Sequence, residues 1–281
     1  MKYIFYLTII AIVLLTGCEE KIDLKIDSGY DKLVVEGEIT TEKKAHIVKL
    51  TKTASYFSNQ QTPKVSNAKV IISDGTQIFP LTEISPGIYA TNSNIMGEIG
   101  KTYTLTIENI DINDDGTMDS YSASSTITQS VKPDSLSFEK TKGNGQDDQS
   151  TDYISINLWA FEPATVGDNY FWSYSVNGNL ETDTISKAVF TEDDMVNGRK
   201  IENFPLFYNE KLKVGDTITL RTASISRDYL DFLYGFMTET DWNMGNFGGP
   251  PANIKGNISN GALGFFNASD VNYFTRIVKL E

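Results

Sequence analysis

A short acidic segment at residues 111–119, DINDDGTMD, has the residue types and the spacing of a calcium-binding loop. Side-chain or carbonyl oxygens recur at alternate positions, which are Asp111, Asn113, Asp115, Thr117 and Asp119. The alternation matters because a curling backbone points every second residue at the same ion. Ser122 stands where a helix-flanked loop has a bidentate Glu, so the segment is more similar to dockerin-type loops. The sequence predicts a structural Ca²⁺ site or, alternatively, a hairpin tip that turns without metal.

A second candidate site lies near the C-terminal end, where aromatic rings stand in a stretch rich in Gly, Pro and Asn. The candidate contact residues are Trp242, Phe247 and Asn253. Rings in such loops stack on sugar faces or dock on a partner protein, and neighbouring amides hydrogen-bond hydroxyl groups. The pattern predicts contact with a glycan or peptide ligand or with a protein partner, unless Trp242 and Phe247 instead plug the end of a β-sandwich.

Residues suited to catalysis are scarce in this chain. The one His, His46, alternates with apolar neighbours and is expected to be exposed on a strand, and no Gly-x-Ser-x-Gly elbow is present. Acids lie close together at Glu192, Asp193 and Asp194 and again at Asp241. In a chain with 37 acidic residues such groupings are common, and we expect these side chains on the solvated surface. The sequence therefore predicts no catalytic residue and a protein that is not an enzyme.

The charge and the cysteine count exclude several classes of protein. The formal net charge is -13, from 24 basic and 37 acidic residues, and no polybasic block is present. Nucleic acid is therefore excluded as an expected partner, because its phosphates are bound by clustered Lys and Arg. One Cys and one His also exclude a disulfide framework and a Cys/His zinc cluster.

The N-terminal segment has the pattern of a lipoprotein signal peptide, which we assign to residues 1–17. Its apolar run of about 13 residues is shorter than the ~20 residues that a membrane-spanning helix needs. The run ends in LTGC, where a small residue gives a peptidase access to the bond before Cys18. Two or three acyl chains on one Cys give stable anchoring. The sequence predicts lipidation of Cys18, attachment to the outer membrane through these chains, and a tether over residues 18–31.

The remaining chain predicts a mainly all-β protein of two domains. Short alternating apolar runs are separated by Gly, Pro, Asn and Asp. Seven such runs within residues 32–135 predict an immunoglobulin-like or carboxypeptidase-regulatory-like β-sandwich. Residues 136–152, which end in a stretch without apolar side chains, are expected to be a linker. Residues 153–281 predict a second β-rich domain with one helix near 227–239, capped by Ser226.

Five phrases of the sequence resemble a known family. They are LVVEGEI at 33–39, AKVIISD at 68–74, PGIY at 86–89, GKTYTLTI at 100–107 and NISNGALGFF at 257–266. In this order they resemble the Bacteroidota lipoprotein family known as domain of unknown function 4249. The resemblance implies a surface-exposed outer-membrane lipoprotein that often accompanies a TonB-dependent transporter of glycans, peptides or metal chelates. It assigns no catalytic residue.

The residues and the resemblance together give two functional expectations. The first is a lipid-anchored, surface-exposed, non-enzymatic accessory or ligand-binding protein that works with a TonB-dependent nutrient transporter. The alternative is a calcium-stabilised surface adhesin or glycan-binding module that works without a transporter. Co-purification with a β-barrel receptor distinguishes the two.

Overall fold

The computed structural model describes residues 31–54, 61–142, 152–194, 196–240 and 254–280, which form two β-sandwiches and one α-helix. The strands of the first sandwich are β1 (Leu33–Thr40), β2 (Ile47–Lys52), β3 (Lys69–Ser73), β4 (Ile78–Pro80), β5 (Thr82–Ser85), β6 (Ile88–Ala90), β7 (Thr102–Ile110), β8 (Asp119–Thr126) and β16 (Leu263–Ser269). Sheet A has the order β16-β1-β2-β6-β5, and sheet B has the order β4-β3-β7-β8.

Alternation of apolar and polar residues positions the core of the first sandwich. In β7 the side chains of Tyr103, Leu105 and Ile107 are buried, and the residues between them are more exposed. Leu33 of β1 in sheet A and Ile72 of β3 in sheet B belong to the same apolar core and have no exposed surface. Burial of each such side chain contributes about 1.5–3 kcal/mol of hydrophobic stabilisation.

Strand β16 joins the first sandwich although it comes from the far end of the chain. It runs parallel to β1, with Val35 opposite Gly264 and Ile39 opposite Ala268. The sequence assigns residues 263–269 to the C-terminal domain, whereas the structure places Phe266 and Ala268 in the core of the first sandwich. The physical reason is that β16 covers the edge of β1, whose backbone groups would otherwise lack partners.

The second sandwich pairs a three-stranded sheet with a five-stranded sheet. Its strands are β9 (Lys132–Lys142), β10 (Asp152–Phe161), β11 (Asn169–Val176), β12 (Asn179–Leu180), β13 (Val189–Glu192), β14 (Lys200–Asn209), β15 (Thr217–Ile225) and β17 (Val271–Ile277). Sheet C has the order β14-β10-β9, and sheet D has the order β12-β11-β15-β17, with β13 also paired to β11. A 3-10 turn at Ile185–Lys187 precedes β13.

Strand β9 corrects the predicted linker over residues 136–152. Its first half is buried, with Leu136 opposite Leu158 and Phe138 opposite Ile156 of β10. Its second half is polar and exposed, yet the pairing continues as far as Lys142. The backbone hydrogen bonds of a hairpin do not require apolar side chains, so composition alone hides such a strand.

The helix forms a further layer on the face of sheet D that carries Phe171 of β11. Helix α1 spans Arg227–Thr240, and Ser226 caps it by accepting a 3.2 Å hydrogen bond from the Tyr229 N–H at Oγ. Leu230 and Leu233 of α1 are buried, and Phe171 of β11 packs against their cluster. The helix predicted near 227–239 is therefore confirmed. The mainly all-β class with an immunoglobulin-like sandwich, a second β-rich part and one helix is confirmed as well.

Candidate functional site

Several predicted site residues cannot be placed. Cys18, the predicted lipidation site, lies outside the described residues, as do Trp242, Phe247 and Asn253, the predicted contact residues. Asp241 also lies outside them. Lipidation of Cys18 and ligand contact by the segment around Trp242 stay predictions.

The predicted calcium loop is the exposed hairpin tip between β7 and β8. Its carboxylates bind backbone amides of the tip itself. Asp111 accepts hydrogen bonds from the N–H groups of Asp115 at 3.1 Å and Gly116 at 2.8 Å, and Asp115 accepts one from Thr117 at 2.7 Å. The Thr117 N–H and the Asn113 amide lower the pKa of Asp115. The remaining ligand candidate, Asp119, is part of β8. Calcium binding at this loop stays a prediction.

Three buried carboxylates meet at one end of the second sandwich. Glu162 directly follows β10, Asp168 directly precedes β11, and Asp193 directly follows β13. Each side chain offers a carboxylate oxygen, and these oxygens all lie within 4.8 Å of one another. The expectation that Asp193 is a solvated surface residue is wrong, because it is 1% exposed. The sequence carries one usable signal for this carboxylate cluster: each acid adjoins the end of a strand.

Hydrogen bonds fix two of the three carboxylates. Glu162 accepts the Tyr170 hydroxyl at 2.7 Å and the Gly198 N–H at 2.6 Å. Asp193 accepts the Gly167 N–H at 3.0 Å. Asp168 differs from both, because the Tyr170 and Thr165 side chains interact with its carboxyl group but its Oδ2 is buried without a hydrogen-bond partner among the described residues.

The carboxylate cluster concentrates negative charge where little water reaches it. Among the ion pairs of the described ranges, none includes Glu162, Asp168 or Asp193. Two unit charges at 4.8 Å repel by about 3.5 kcal/mol at an effective dielectric constant of ~20. Burial, together with the charges of Glu162 and Asp193, raises the pKa of Asp168 to about 6. Burial and the bond to Glu162 also raise the pKa of Tyr170.

A cleft of about 820 Å³ lies between sheet A, sheet D and helix α1. Its lining includes Glu38, Phe171, Arg221, Tyr229, Phe265 and Asn267. The rings form one surface: the centroids of Tyr229 and Phe265 are 4.8 Å apart, and those of Phe232 and Phe265 are 5.3 Å apart. This cleft combines an aromatic wall with charged and amide groups, which is the composition of a small-molecule site.

Polar groups of the cleft have unused bonding capacity. The Arg221 guanidinium donates a hydrogen bond to Glu38 Oε1 at 3.3 Å through Nη2 and also interacts with the Tyr273 hydroxyl, so these two acceptors engage a group that has five N–H donors. Asn267 is 3% exposed, and its Oδ1 has no partner within the described part of the chain. Its Nδ2 donates to Ser269 Oγ at 2.6 Å. Burial raises the pKa of Tyr229 to about 12, so its hydroxyl stays protonated near neutral pH.

His46 also lines the cleft, but its ring is engaged by the backbone. Its Nδ1 accepts the Thr40 N–H at 3.3 Å, and its Nε2 lies 3.3 Å from the Ile95 carbonyl oxygen. Because the first partner is a donor and the second an acceptor, only the neutral ring protonated at Nε2 satisfies both. The expectation that His46 is exposed is wrong, because it is 1% exposed and links the start of β2 to the end of β1 and to the loop that carries Ile95.

The buried ring makes stability depend on pH. Burial lowers the pKa of His46 below its ordinary 6.5. Protonation of His46 is therefore less favourable in the folded state than in the unfolded state, where its pKa is ~6.5. The neutral ring's contribution to the free energy of unfolding is complete above pH ~6.5 and decreases as the pH falls below that value. Below pH 6.5 the free energy of unfolding of wild type should fall by up to ~1.4 kcal/mol per pH unit more than that of His46→Gln, which has no imidazole. Urea unfolding of both proteins at pH 7 and pH 5 measures this difference. Equal pH dependence of the two proteins would contradict this linkage.

No helix among the described residues is long and apolar enough to cross a membrane.

The comparisons with known proteins identify the family but no activity. No curated protein matches the chain. Among solved structures it is similar to a cytokine receptor complex, with 10% identity, a TM-score of 0.23, and coverage of 70% of this chain and 86% of that chain. It is also similar to a segment of two fibronectin type-III domains from chicken tenascin, with 12% identity, a TM-score of 0.19, and coverage of 70% and 91%. The family model described as "Domain of unknown function (DUF4249)" matches residues 19–274, so the chain belongs to this family.

Proposed function

We propose that this protein is a lipid-anchored, surface-exposed, non-enzymatic ligand-binding protein of the outer membrane that assists a TonB-dependent nutrient transporter. The observation that carries the ligand-binding part is the cleft between sheets A and D, with its aromatic wall, Arg221 and the Asn267 oxygen, which has no partner among the described residues. The LTGC sequence before the tether supports the anchor. The resemblance to Bacteroidota lipoproteins supports the transporter partnership and the location.

The chemistry of the cleft favours a ligand with both a ring or apolar surface and an anionic group. Its charged lining contains three cations, each paired with an acid: Lys44 with Glu42, Lys49 with Glu36 and Arg221 with Glu38. In a chain of formal charge -13, three cations gathered at one cleft can still attract an anionic group that displaces one of these acids. Two ligand classes combine an anionic group with a ring or apolar surface: acidic sugars, and peptides with a free terminal carboxylate. The rings of either class can stack on the aromatic wall.

The same residues support binding over catalysis. The only His of the chain, His46, has both ring nitrogens engaged by backbone groups. Glu38 is engaged by Arg221. A general acid or base must be free to exchange a proton with the reacting group, which neither side chain is in this arrangement.

The test of location and partnership uses the native host. A tag placed after residue 281 is followed by protease treatment of intact cells and by detergent pull-down of the tagged protein. We expect the tag to be removed from intact cells and a TonB-dependent barrel to co-elute. Surface exposure without a co-eluting barrel would favour the adhesin or glycan-binding alternative. A protected tag together with solitary elution would contradict both surface roles.

The test of the cleft is a charge-removing substitution. We expect Arg221→Met to reduce by about tenfold the fraction of protein that carries a small molecule after extraction from host membranes, read by native mass spectrometry. Loss of a hydrogen bond to a charged group costs about 1.5–3 kcal/mol, which corresponds to tenfold or more in affinity. The matched control is Arg227→Met, because Arg227 lies on helix α1 and pairs with Glu192 and Asp231 outside the cleft lining. Equal occupancy in both variants would contradict a ligand site at Arg221.

A further inference from the structure

The carboxylate cluster at the end of the second sandwich has no positively charged partner within the described part of the chain. Glu162, Asp168 and Asp193 are 0%, 5% and 1% exposed, and no ion pair of the described residues reaches them. Buried carboxylates are stable when they are paired, metal-bound or protonated. Tyr170 and the Gly167 and Gly198 amides donate hydrogen bonds to Glu162 and Asp193, whereas none reaches Asp168 Oδ2 within the described residues.

Asp168 provides the observation that points to a ligand. Its Oδ2 is buried and accepts no hydrogen bond within the described ranges, while its carboxyl group lies beside two other acids. A buried acceptor without a donor is costly, and three oxygens within 4.8 Å of one another surround a volume that one ion can fill. We infer that Glu162, Asp168 and Asp193 bind one divalent cation, and that this cation ties the ends of β10, β11 and β13 together.

The donor set selects the class of cation. All three side chains offer carboxylate oxygens, which are the ligands of hard cations, and none offers the nitrogen or sulfur that zinc prefers. Calcium fits better than magnesium, because Ca²⁺ accepts irregular oxygen geometry whereas Mg²⁺ needs an octahedron and keeps several waters. The exposed residues 164–167 lie between Glu162 and Asp168 in the chain, so solvent is close to the carboxylate cluster.

The position of Tyr170 supplies a direct readout. Its hydroxyl donates to Glu162, so a terbium ion in this site would lie close to a phenol ring. Terbium has the ligand preferences of calcium and emits when a neighbouring aromatic ring is excited. We therefore expect Tb³⁺ emission from the purified protein on aromatic excitation, displaced by added Ca²⁺ and only weakly by Mg²⁺.

The deciding variant is Asp168→Asn, which keeps the shape and removes one charge. We expect Ca²⁺ to raise the unfolding temperature of wild type above its value in chelator. The affinity of Asp168→Asn for Ca²⁺ should be lower than that of wild type by tenfold or more. In chelator the variant should unfold at or above the wild-type temperature, because one repulsive charge is gone. Asp193→Asn is the second variant, with the same expected loss of Ca²⁺ binding, and keeps the test decisive if Asp168→Asn does not fold.

The matched control separates this site from the hairpin tip at residues 111–119. Asp111→Asn should retain the part of the Ca²⁺ shift and of the Tb³⁺ emission that Asp168→Asn loses, whether or not the hairpin tip binds an ion of its own. The inference is overturned if Asp111→Asn abolishes the response and Asp168→Asn retains it. It is also overturned if wild type responds to neither Ca²⁺ nor Tb³⁺, since the carboxylate cluster would then share a proton instead of a metal ion.

Discussion

Replacement of Gly264 by Ala is expected to destabilise the fold by about 3–5 kcal/mol, a large part of the 5–15 kcal/mol that stabilises a typical domain. Gly264 lies in β16 opposite Val35 of β1, with a φ of +92°. A Cβ at this position would overlap the Val35 carbonyl oxygen and would lie 2.8 Å from its carbonyl carbon. The left-handed backbone alone costs an L-residue about 1–2 kcal/mol, and the overlap forces the two strands apart.

Gly100→Ala is the control for this substitution. Gly100 also has a positive φ, +86°, but a Cβ there would meet nothing within 4 Å. We expect a loss of only about 1–2 kcal/mol for this variant, from backbone strain without a clash. Urea unfolding of both variants and wild type measures the difference. Similar losses for Gly264→Ala and Gly100→Ala would show that the close approach of β16 to β1 does not limit stability.

The parallel pairing of β16 with β1 is a feature of the fold that the sequence does not predict. Alternation within one segment predicts strands such as β7, and rings on both faces of β11 predict a strand covered on both sides. These patterns are local, as are the Ser226 cap and the apolar stripe of α1. Pairing between residues more than 220 positions apart leaves no periodic signal in either segment, so the boundary between the two sandwiches could not be found.

The candidate sites could not be predicted from the sequence either, because each combines residues that are far apart in the chain. Glu192, Asp193 and Asp194 form an acidic run of the kind usually found on the surface, and only the folded chain brings Asp193 to Glu162 and Asp168. His46 alternates correctly with its neighbours, but the loop carrying Ile95 covers its ring. The cleft combines residues from sheets A and D with others from α1, so none of its segments is informative alone.

The second large effect is expected at the junction between the two sandwiches, where the chain leaves β16 and enters β17. Asp270, the one residue between these strands, is 7% exposed. Its Oδ1 accepts the Thr41 hydroxyl at 2.9 Å, and its Oδ2 accepts the Ser130 N–H at 3.0 Å. Its own N–H donates to Ser224 Oγ at 2.9 Å. One side chain therefore links the end of β1 to the connection between β8 and β9.

We expect Asp270→Ala to lose about 3 kcal/mol or more of unfolding free energy. Each hydrogen bond to a charged group contributes about 1.5–3 kcal/mol, and the Ser130 N–H would be left buried without an acceptor. Asp270→Asn should lose less, because one of its two side-chain positions can still accept. Urea unfolding measures the loss, and hydrogen exchange locates it: the amides of Ser130 and Val271 should exchange faster than in wild type.

The control for this junction is an acid whose interactions are exposed. Asp183 pairs with Lys187 at 2.7 Å on the surface, where solvent screens the pair, so Asp183→Ala should cost much less stability than Asp270→Ala. If Asp270→Ala costs no more than Asp183→Ala, the two sandwiches are joined by their cores and strand pairing, not by this carboxylate. A large loss of unfolding free energy, with faster hydrogen exchange only at the amides around Asp270, would show that the hydrogen bonds of Asp270 stabilise the junction. At this junction β16 of sheet A is followed directly by β17 of sheet D. The cleft lies between these two sheets, so a loosened junction should also lower small-molecule occupancy in the Asp270→Ala protein.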